Sequence, residues 1–351
     1  MAGGAGTRFW PGSKLTKPKQ YLNIIGNDSL LQSTIKRFST FTSEKRIYVV
    51  SGKDQAPVLE EQASVLPKKN LIYEPVGKNT LPCIGLAAMV AEKENPDGIM
   101  VVSPSDHLIE NVELFKDTVL TAVKIALERD GIVTLGVSPT YPATGYGYIK
   151  TAEEITGENE IRQFKVDHFV EKPDKDTASS YLGQGGFYWN SGLFIFKISV
   201  FLNAVKEFAP ELHADLRKIQ ADLGNSSFDQ TLDTVYRAVK GISVDYGIME
   251  HAKNIYLVEG NFVWNDLGSW ESVYQVSQKD NNRNVISGEG VFVDSKNSYI
   301  KTDNGLVAVV GLDDIIVVQD GNTTLVCKRD KAEDVKKIVE QLRAENKNQF
   351  L

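Results

Sequence analysis

GIMVVSPSDHLIENVELFKDTVLTAVKIALERDGIVTLG, residues 98–136, decides the class of fold. A short valine-rich run ends in SPSD, a long stretch with apolar residues three and four apart follows, and a second β-branched run closes the segment. Short apolar runs bounded by turn residues read as strands and a 3.6-residue period reads as a helix, so this is a strand–helix–strand unit. Strands this uniformly apolar are covered on both faces, which predicts central, parallel strands.

The same rhythm extends toward the N-terminus. SLLQSTIKRF and QAPVLEEQASVL are helical in pattern, RIYVVS and LIYEP are strand-like, and a further helix opens at Asn79 or Thr80 with Pro82 in its first turn. Beyond Gly136 the order is less regular. Strands RQFKVDHFVEKP, GLFIFK and IYLVEG mix with helices expected over 200–208, 210–223 and 244–252. After the polar cluster DNNRN come GVFVD, SYIKT, LVAVVG, DIIVVQ and TLVCK, then a polar helix over 331–345. That change predicts a small all-β unit, a short β-helix or a barrel, and a division into residues 1–280 and 281–351. At 351 residues the chain exceeds the usual size of one core.

The 39 basic and 46 acidic residues give a net charge of -7, which argues against a nucleic-acid partner and makes any phosphate site a local one. Cys83 and Cys327 lie in unrelated segments and suggest neither a disulfide framework nor a thiolate metal site. Apolar runs fall short of the roughly 18 residues of a membrane span, and the start lacks a signal-peptide pattern, so a cytoplasmic location without a membrane partner is expected.

Two features carry chemistry. The opening MAGGAGTRFWPGSKLTKPKQ sets Gly3, Gly4, Gly6 and Gly12 among Arg8, Lys14, Lys17 and Lys19, so backbone amides can approach phosphate oxygens while cations neutralise them. It matches neither G-x-G-x-x-G nor G-x-x-x-x-G-K-[ST], and by itself is equally a glycine-rich turn beside stray cations. Asp106 ends the strand GIMVVSPSD, at the carboxyl edge where open α/β sheets hold ligands. A carboxylate there suits a magnesium ion, and a helix cap is the competing reading.

GGAGTRFWP followed by KPKQ resembles the signature of the sugar-1-phosphate nucleotidyltransferases, and its FWP and PKQ elements resemble the mannose-1-phosphate guanylyltransferase branch. EPVGKNTLP (74–82), SPSDH (103–107), TGYGYI (144–149), FVEKP (169–173), YWNSGLFIF (188–196), SVDYGIME (243–250) and FVWNDLGSW (262–270) follow in that family's order. The resemblance implies an α/β fold, a doubly wound mixed sheet of Rossmann-like type, with the small C-terminal domain a short left-handed β-helix. It implies Mg2+ and the conversion of GTP and mannose 1-phosphate to GDP-mannose and pyrophosphate. It assigns Arg8 and Lys19 to the triphosphate and Lys172 to the sugar's phosphate. Nucleotide contacts fall on Ala2, Gly3, Gly4, Gly6, Thr7, Glu74, Asn79, Thr80 and Ser105, with Glu74 able to accept from N1 and the exocyclic amine of guanine. Sugar contacts fall on Gly145, Glu171 and Asn190, and the metal on Asp106 and Asp266.

Other expectations follow. His107 receives no role, and Phe262, Trp264 and Trp270 are expected to pack the domain junction. Too few residues follow Asp266 for the isomerase domain of two-activity members, so one activity is expected, in a homodimer touching through the β unit. An apolar strand normally precedes the glycine-rich loop, whereas Met1 is one residue from Gly3, which predicts a natural start upstream. Two other functions fit the same residues: a nucleotidyltransferase for another sugar 1-phosphate or nucleotide, and a non-catalytic regulatory homologue that binds a nucleotide sugar.

Overall fold

A computed structural model describes the chain except for Ala5, Thr156, Glu158 and Asn159. Among the described residues the strands are β1 Val49–Gly52, β2 Leu71–Glu74, β3 Ile99–Val102, β4 Leu108–Ile109, β5 Ile132–Val137, β6 Tyr148–Ile155 and β7 Gln163–Val170. They continue with β8 Phe187–Lys197, β9 Ile255–Glu259, β10 Trp264–Asn265, β11 Val285–Val293, β12 Tyr299–Val310, β13 Ile315–Asp320 and β14 Thr323–Lys328.

The large sheet has the order β3-β8-β5-β9-β7-β6. It is mixed: β5 and β9 run parallel, while β8 is antiparallel to both β3 and β5. Side chains alternate along each strand. Leu193 and Ile195 of β8 pack with Val133 and Leu135 of β5 against Phe115 and Val119 of the helix Val112–Arg129. Phe194 and Phe196 point the other way, into a cluster with Ile84 of the helix Thr80–Glu94 and Leu216 of the helix Pro210–Ala221. Both faces are therefore covered, the doubly wound arrangement that the apolar strands predict.

The segment 98–106 differs from expectation in one respect. Its strand, β3, lies at the edge of the large sheet and pairs antiparallel with β8. Its other flank meets Met1 and Ala2: the Ser105 N–H donates to the Met1 carbonyl at 3.0 Å, and the Ala2 N–H donates to Val50 of β1 at 2.7 Å. These two residues thus stand between the large sheet and the parallel pair β1–β2. The helix expected over 244–252 is also altered, to a wide π-type turn over Asp245–Met249. Its Glu250 N–H reaches back to Asp245 O, and a Cβ on Gly247 would lie 2.5 Å from Leu81 Cδ2, so the backbone is pressed onto the neighbouring helix.

In the C-terminal part β11, β12 and β13 pair in parallel and β14 returns antiparallel, a β-helix-like coil. SYIKT and LVAVVG, read separately in the sequence, run as the single strand β12. This sheet packs directly under the glycine-rich segment. Trp270 is fully buried between Phe9 and Tyr299, with ring centroids 5.0 and 6.0 Å away. Trp10 Nε1 donates to Phe350 O at 2.8 Å, and Lys14 pairs with Asp320 at 3.1 Å. Of the three aromatics expected at the junction only Trp270 is there. Phe262 packs edge-on against Phe115, and Trp264 packs against Tyr146, both in the cluster on the face of the large sheet covered by the helix Val112–Arg129. Among the described residues no helix is long and apolar enough to cross a membrane.

Candidate active site

The glycine-rich segment is a turn built around Gly6. Ala5 within it lies outside the described residues. Gly6 has φ +57°, and a Cβ there would lie 2.6 Å from Lys19 Cβ and 2.9 Å from Lys19 N. Only glycine lets the loop close onto Lys19 in this way. Gly6 caps a single 3₁₀ turn, Thr7–Phe9, and its carbonyl accepts from Ser13 Oγ at 2.6 Å. Gly3 and Gly4 are exposed, with open space where side chains would stand, so their backbone is accessible to a ligand.

The four cations of the segment separate by role. Lys14 is engaged by Asp320, and Lys17 is exposed. Arg8 is half-buried, its Nε is buried without a hydrogen-bond partner, and among the described residues no carboxylate pairs with it. A buried donor left unmatched is costly and marks a place where an acceptor fits. Lys19 is buried and donates to Asp106 Oδ2 at 2.9 Å and to the Asp266 carbonyl at 2.6 Å. An ammonium has three N–H groups, so one remains.

Asp106 and Asp266 are distant in sequence, and two residues of strand bring them together. β10 pairs antiparallel with β4, Asn265 opposite Leu108 and Trp264 opposite Ile109, so the residues flanking the pair face each other. Trp264 Nε1 donates to His107 Nδ1 at 3.2 Å, which leaves the imidazole proton on Nε2, 3.8 Å from Asp106 Oδ1. Burial holds His107 below its ordinary value, hence neutral at pH 7. Its role is the structural one. Burial pushes the Asp106 carboxyl up, but the charge of Lys19 and its hydrogen bond outweigh it and the net shift is downward. Tyr146 donates to Asp266 Oδ1 at 2.9 Å; burial, then the Asp266 charge, pushes its hydroxyl well above the ordinary range, so it remains a donor. Asp106 is not a helix cap, since β4 separates it from the helix Val112–Arg129.

On the opposite side of the loop, Glu74 departs from the expectation of an open acceptor. It ends β2 but is 4% exposed, turned into the core, and accepts a hydrogen bond from Tyr236. Burial raises its carboxyl despite that bond. Asn79 is exposed and caps the helix Thr80–Glu94. Thr80 Oγ1 accepts from Val244 N at 2.8 Å, tying the helix start to the π turn. Ser105 is buried, and among the described residues its Oγ has no partner.

Beyond Asp266 lies the third group. The Asn190 N–H donates to Gly147 O at 2.8 Å, beside the exposed Gly145. Asn190 Oδ1 accepts from Thr134 Oγ1 at 3.2 Å and from Gly192 N at 3.1 Å, while Nδ2 donates to Asp245 Oδ1 at 3.0 Å. Lys172, exposed and held at φ +48°, pairs with the more buried Glu171.

A glycine-rich turn, two aspartates and a lysine between them suit anionic phosphate chemistry, and comparison with known proteins agrees. Residues 1–283 match the family described as nucleotidyl transferase. The chain belongs to the nucleotidyl transferase family. Residues 288–342 match a second family, the MannoseP isomerase/GMP-like beta-helix domain. A mannose-1-phosphate guanylyltransferase of Salmonella montevideo is 37% identical over 356 residues, covering 100% of this chain and 74% of that one. One from Escherichia coli is 36% identical over 353 residues, with 100% and 74% covered. A Thermus thermophilus crystal structure, described as a mannose-1-phosphate geranyltransferase, superposes with a TM-score of 0.88 at 30% identity and covers 98% of each chain.

Two polar residues of this nucleotidyl transferase site escape motif reading. Tyr146 sits inside TGYGYI, where it reads as a packing aromatic, and its position over Asp266 needs the fold. Asp245 is visible in SVDYGIME as an acid near the sugar side, but only the structure joins it to Asn190.

Proposed function

We propose that this nucleotidyl transferase is a mannose-1-phosphate guanylyltransferase that makes GDP-mannose and pyrophosphate from GTP and mannose 1-phosphate. The Lys19 ammonium that joins the Asp106 carboxylate to the Asp266 main-chain carbonyl, in a chain whose Gly3 and Gly4 backbone is open, is the observation that carries the reading. The names of the relatives supply the substrates. A phosphate oxygen of the sugar 1-phosphate attacks the α-phosphorus in line. The bond from that phosphorus to the bridging oxygen breaks, and pyrophosphate leaves with the electron pair.

Positioning and neutralisation are the protein's main work in such a transfer. Arg8 and the remaining N–H of Lys19 serve the departing pyrophosphate. Gly3, Gly4, Gly6, Thr7 and Ser105 line the nucleotide path, with Asn79 and Thr80 toward the base, while Ala2, expected there from the sequence, is fully buried with its N–H on Val50 and its carbonyl on Gln20 and Ser51. Glu74 supports that side from within the core through Tyr236, in place of the base contact expected from the sequence. Lys172 receives the sugar's phosphate, and Gly145, Glu171 and Asn190 receive its hydroxyls. Asp106 and Asp266 would hold Mg2+. They offer oxygen donors only, and the described residues contain no group of three or more His, Cys, Asp or Glu that could hold a metal. A cation held by two carboxylates and otherwise by water and phosphate suits magnesium. When bound, it would neutralise charge on the reacting phosphates. Tyr146 fixes the Asp266 carboxylate for that purpose.

Pyrophosphate release from a matrix of nucleotides and sugar 1-phosphates tests the reading. Release with GTP and mannose 1-phosphate above all other pairs is expected. Release only with another pair would overturn the assigned substrates, and tight binding without release would point to a regulatory homologue.

A further inference from the structure

We propose that Asp245 is a sugar-binding residue of this site: its carboxylate accepts a hydrogen bond from a hydroxyl of the sugar 1-phosphate beside Asn190 and so helps set which pyranose is accepted. The inference rests on the sugar side assigned above.

The argument begins with the Asn190 amide. Oδ1 accepts from Gly192 N and shares the single Thr134 Oγ1 proton with Leu193 O, and one N–H is given to Asp245. One N–H is left for a ligand, so Asn190 offers it a donor. A hydroxyl that accepts from Asn190 must send its own proton to an acceptor nearby. Asp245, already joined to Asn190, is half-buried and, among the described residues, has no cation paired to it. Lys172, the cation on this side, pairs with Glu171 instead.

Burial, and then the charge of Glu171, raises the Asp245 carboxyl to about 6, while Lys172 and the Asn190 hydrogen bond oppose the rise. Glu171, Lys172 and Asp245 therefore act across one shared space. A carboxylate kept partly out of water without a cation is costly unless a ligand completes its hydrogen bonds. Nor is Asp245 free to swing away. Val244 N–H is bonded to Thr80 Oγ1 at 2.8 Å, Leu81 N–H to Ile242 O at 3.1 Å, and Gly247 is pressed against Leu81. The wide turn that begins at Asp245 is a form common at functional sites.

Steady-state kinetics of wild type and Asp245→Asn, with mannose 1-phosphate and its 2-, 3-, 4- and 6-deoxy analogues, tests the assignment. The amide oxygen introduced by Asp245→Asn would still accept from Asn190, so a purely structural role predicts little change. The sugar-binding role predicts that KM for the sugar 1-phosphate rises roughly 10- to 100-fold, the range for a hydrogen bond to a charged group, while KM for the nucleotide stays within about twofold. It further predicts that one deoxy analogue disfavoured by wild type loses that handicap in Asp245→Asn. Unchanged discrimination against all four analogues would overturn the proposal. Should wild type refuse mannose 1-phosphate, the substrate reading fails by itself. The same comparison on the sugar 1-phosphate it does accept then decides Asp245.

Discussion

Gly6→Ala isolates the turn that brings the loop onto Lys19. Alanine at φ +57° enters the left-handed region, at about 1–2 kcal/mol. Its Cβ would lie 2.6 Å from Lys19 Cβ and 2.9 Å from Lys19 N, and overlap of that kind costs about 1–3 kcal/mol because backbone must shift. The sum, about 2–5 kcal/mol, is a large part of a typical domain's 5–15 kcal/mol. With an unfolding entropy of about 2.1 cal/mol/K per residue, a chain of 351 residues should melt roughly 3–7 °C lower. Relief by moving Lys19 would stretch its bonds to Asp106 and the Asp266 carbonyl, now 2.9 and 2.6 Å, so turnover should fall as well. Gly3→Ala is the control for stability: nothing lies within 4 Å of its Cβ, and its expected cost is below about 0.5 kcal/mol. Scanning fluorimetry and pyrophosphate release on both variants make the comparison. Equal melting temperatures and equal rates would refute the close packing of Gly6 on Lys19.

Asp106→Asn and Asp266→Asn should each lower kcat by at least about 100-fold in a pyrophosphate-release assay, since charge neutralisation by a held cation is worth several kcal/mol; near-normal rates in both would remove the metal assignment. Lys172→Ala should raise KM for the sugar 1-phosphate about tenfold and leave KM for GTP unchanged, because the side chain is exposed and among the described residues pairs with Glu171 alone; equal effects on both substrates would count against it. Tyr146→Phe should reduce kcat/KM by roughly 10- to 100-fold, the value of one hydrogen bond to a carboxylate, with a matching loss of affinity for the divalent cation in titrations. Unaltered cation affinity would reduce Tyr146 to a packing residue.

Much of this architecture was legible because period and turn chemistry agree locally. The helix Thr80–Glu94 starts where Asn79 and Pro82 place it, and β5 and β9 are the apolar runs IVTLG and IYLVEG. What escaped reading is long-range. The antiparallel entry of β8 between β3 and β5 leaves β3 at an edge, and no property of GIMVV encodes that neighbour. β4 and β10 are two residues each, too short for any periodic signal, yet they bring the aspartates together. Glu74 reads as an open acceptor for a base because it ends an ordinary strand before a turn. Its partner Tyr236 comes from a helix, Phe228–Ala238, far along the chain. Asp245 illustrates the same limit: its motif is visible, its hydrogen bond to Asn190 is not.

The docking of the C-terminal sheet beneath Phe9, Trp10 and Trp270 has a consequence for how such chains can vary. The floor of the glycine-rich turn is made of side chains from both ends of the sequence, so the two parts are not interchangeable modules. A coil grafted from a relative would have to reproduce the seat for Trp270 and the carboxylate that meets Lys14, or the turn would lose its footing while the large sheet stayed intact. Drift in the coil is thereby tied to drift in the loop, and the segment farthest from the chemistry in sequence is constrained by it in space.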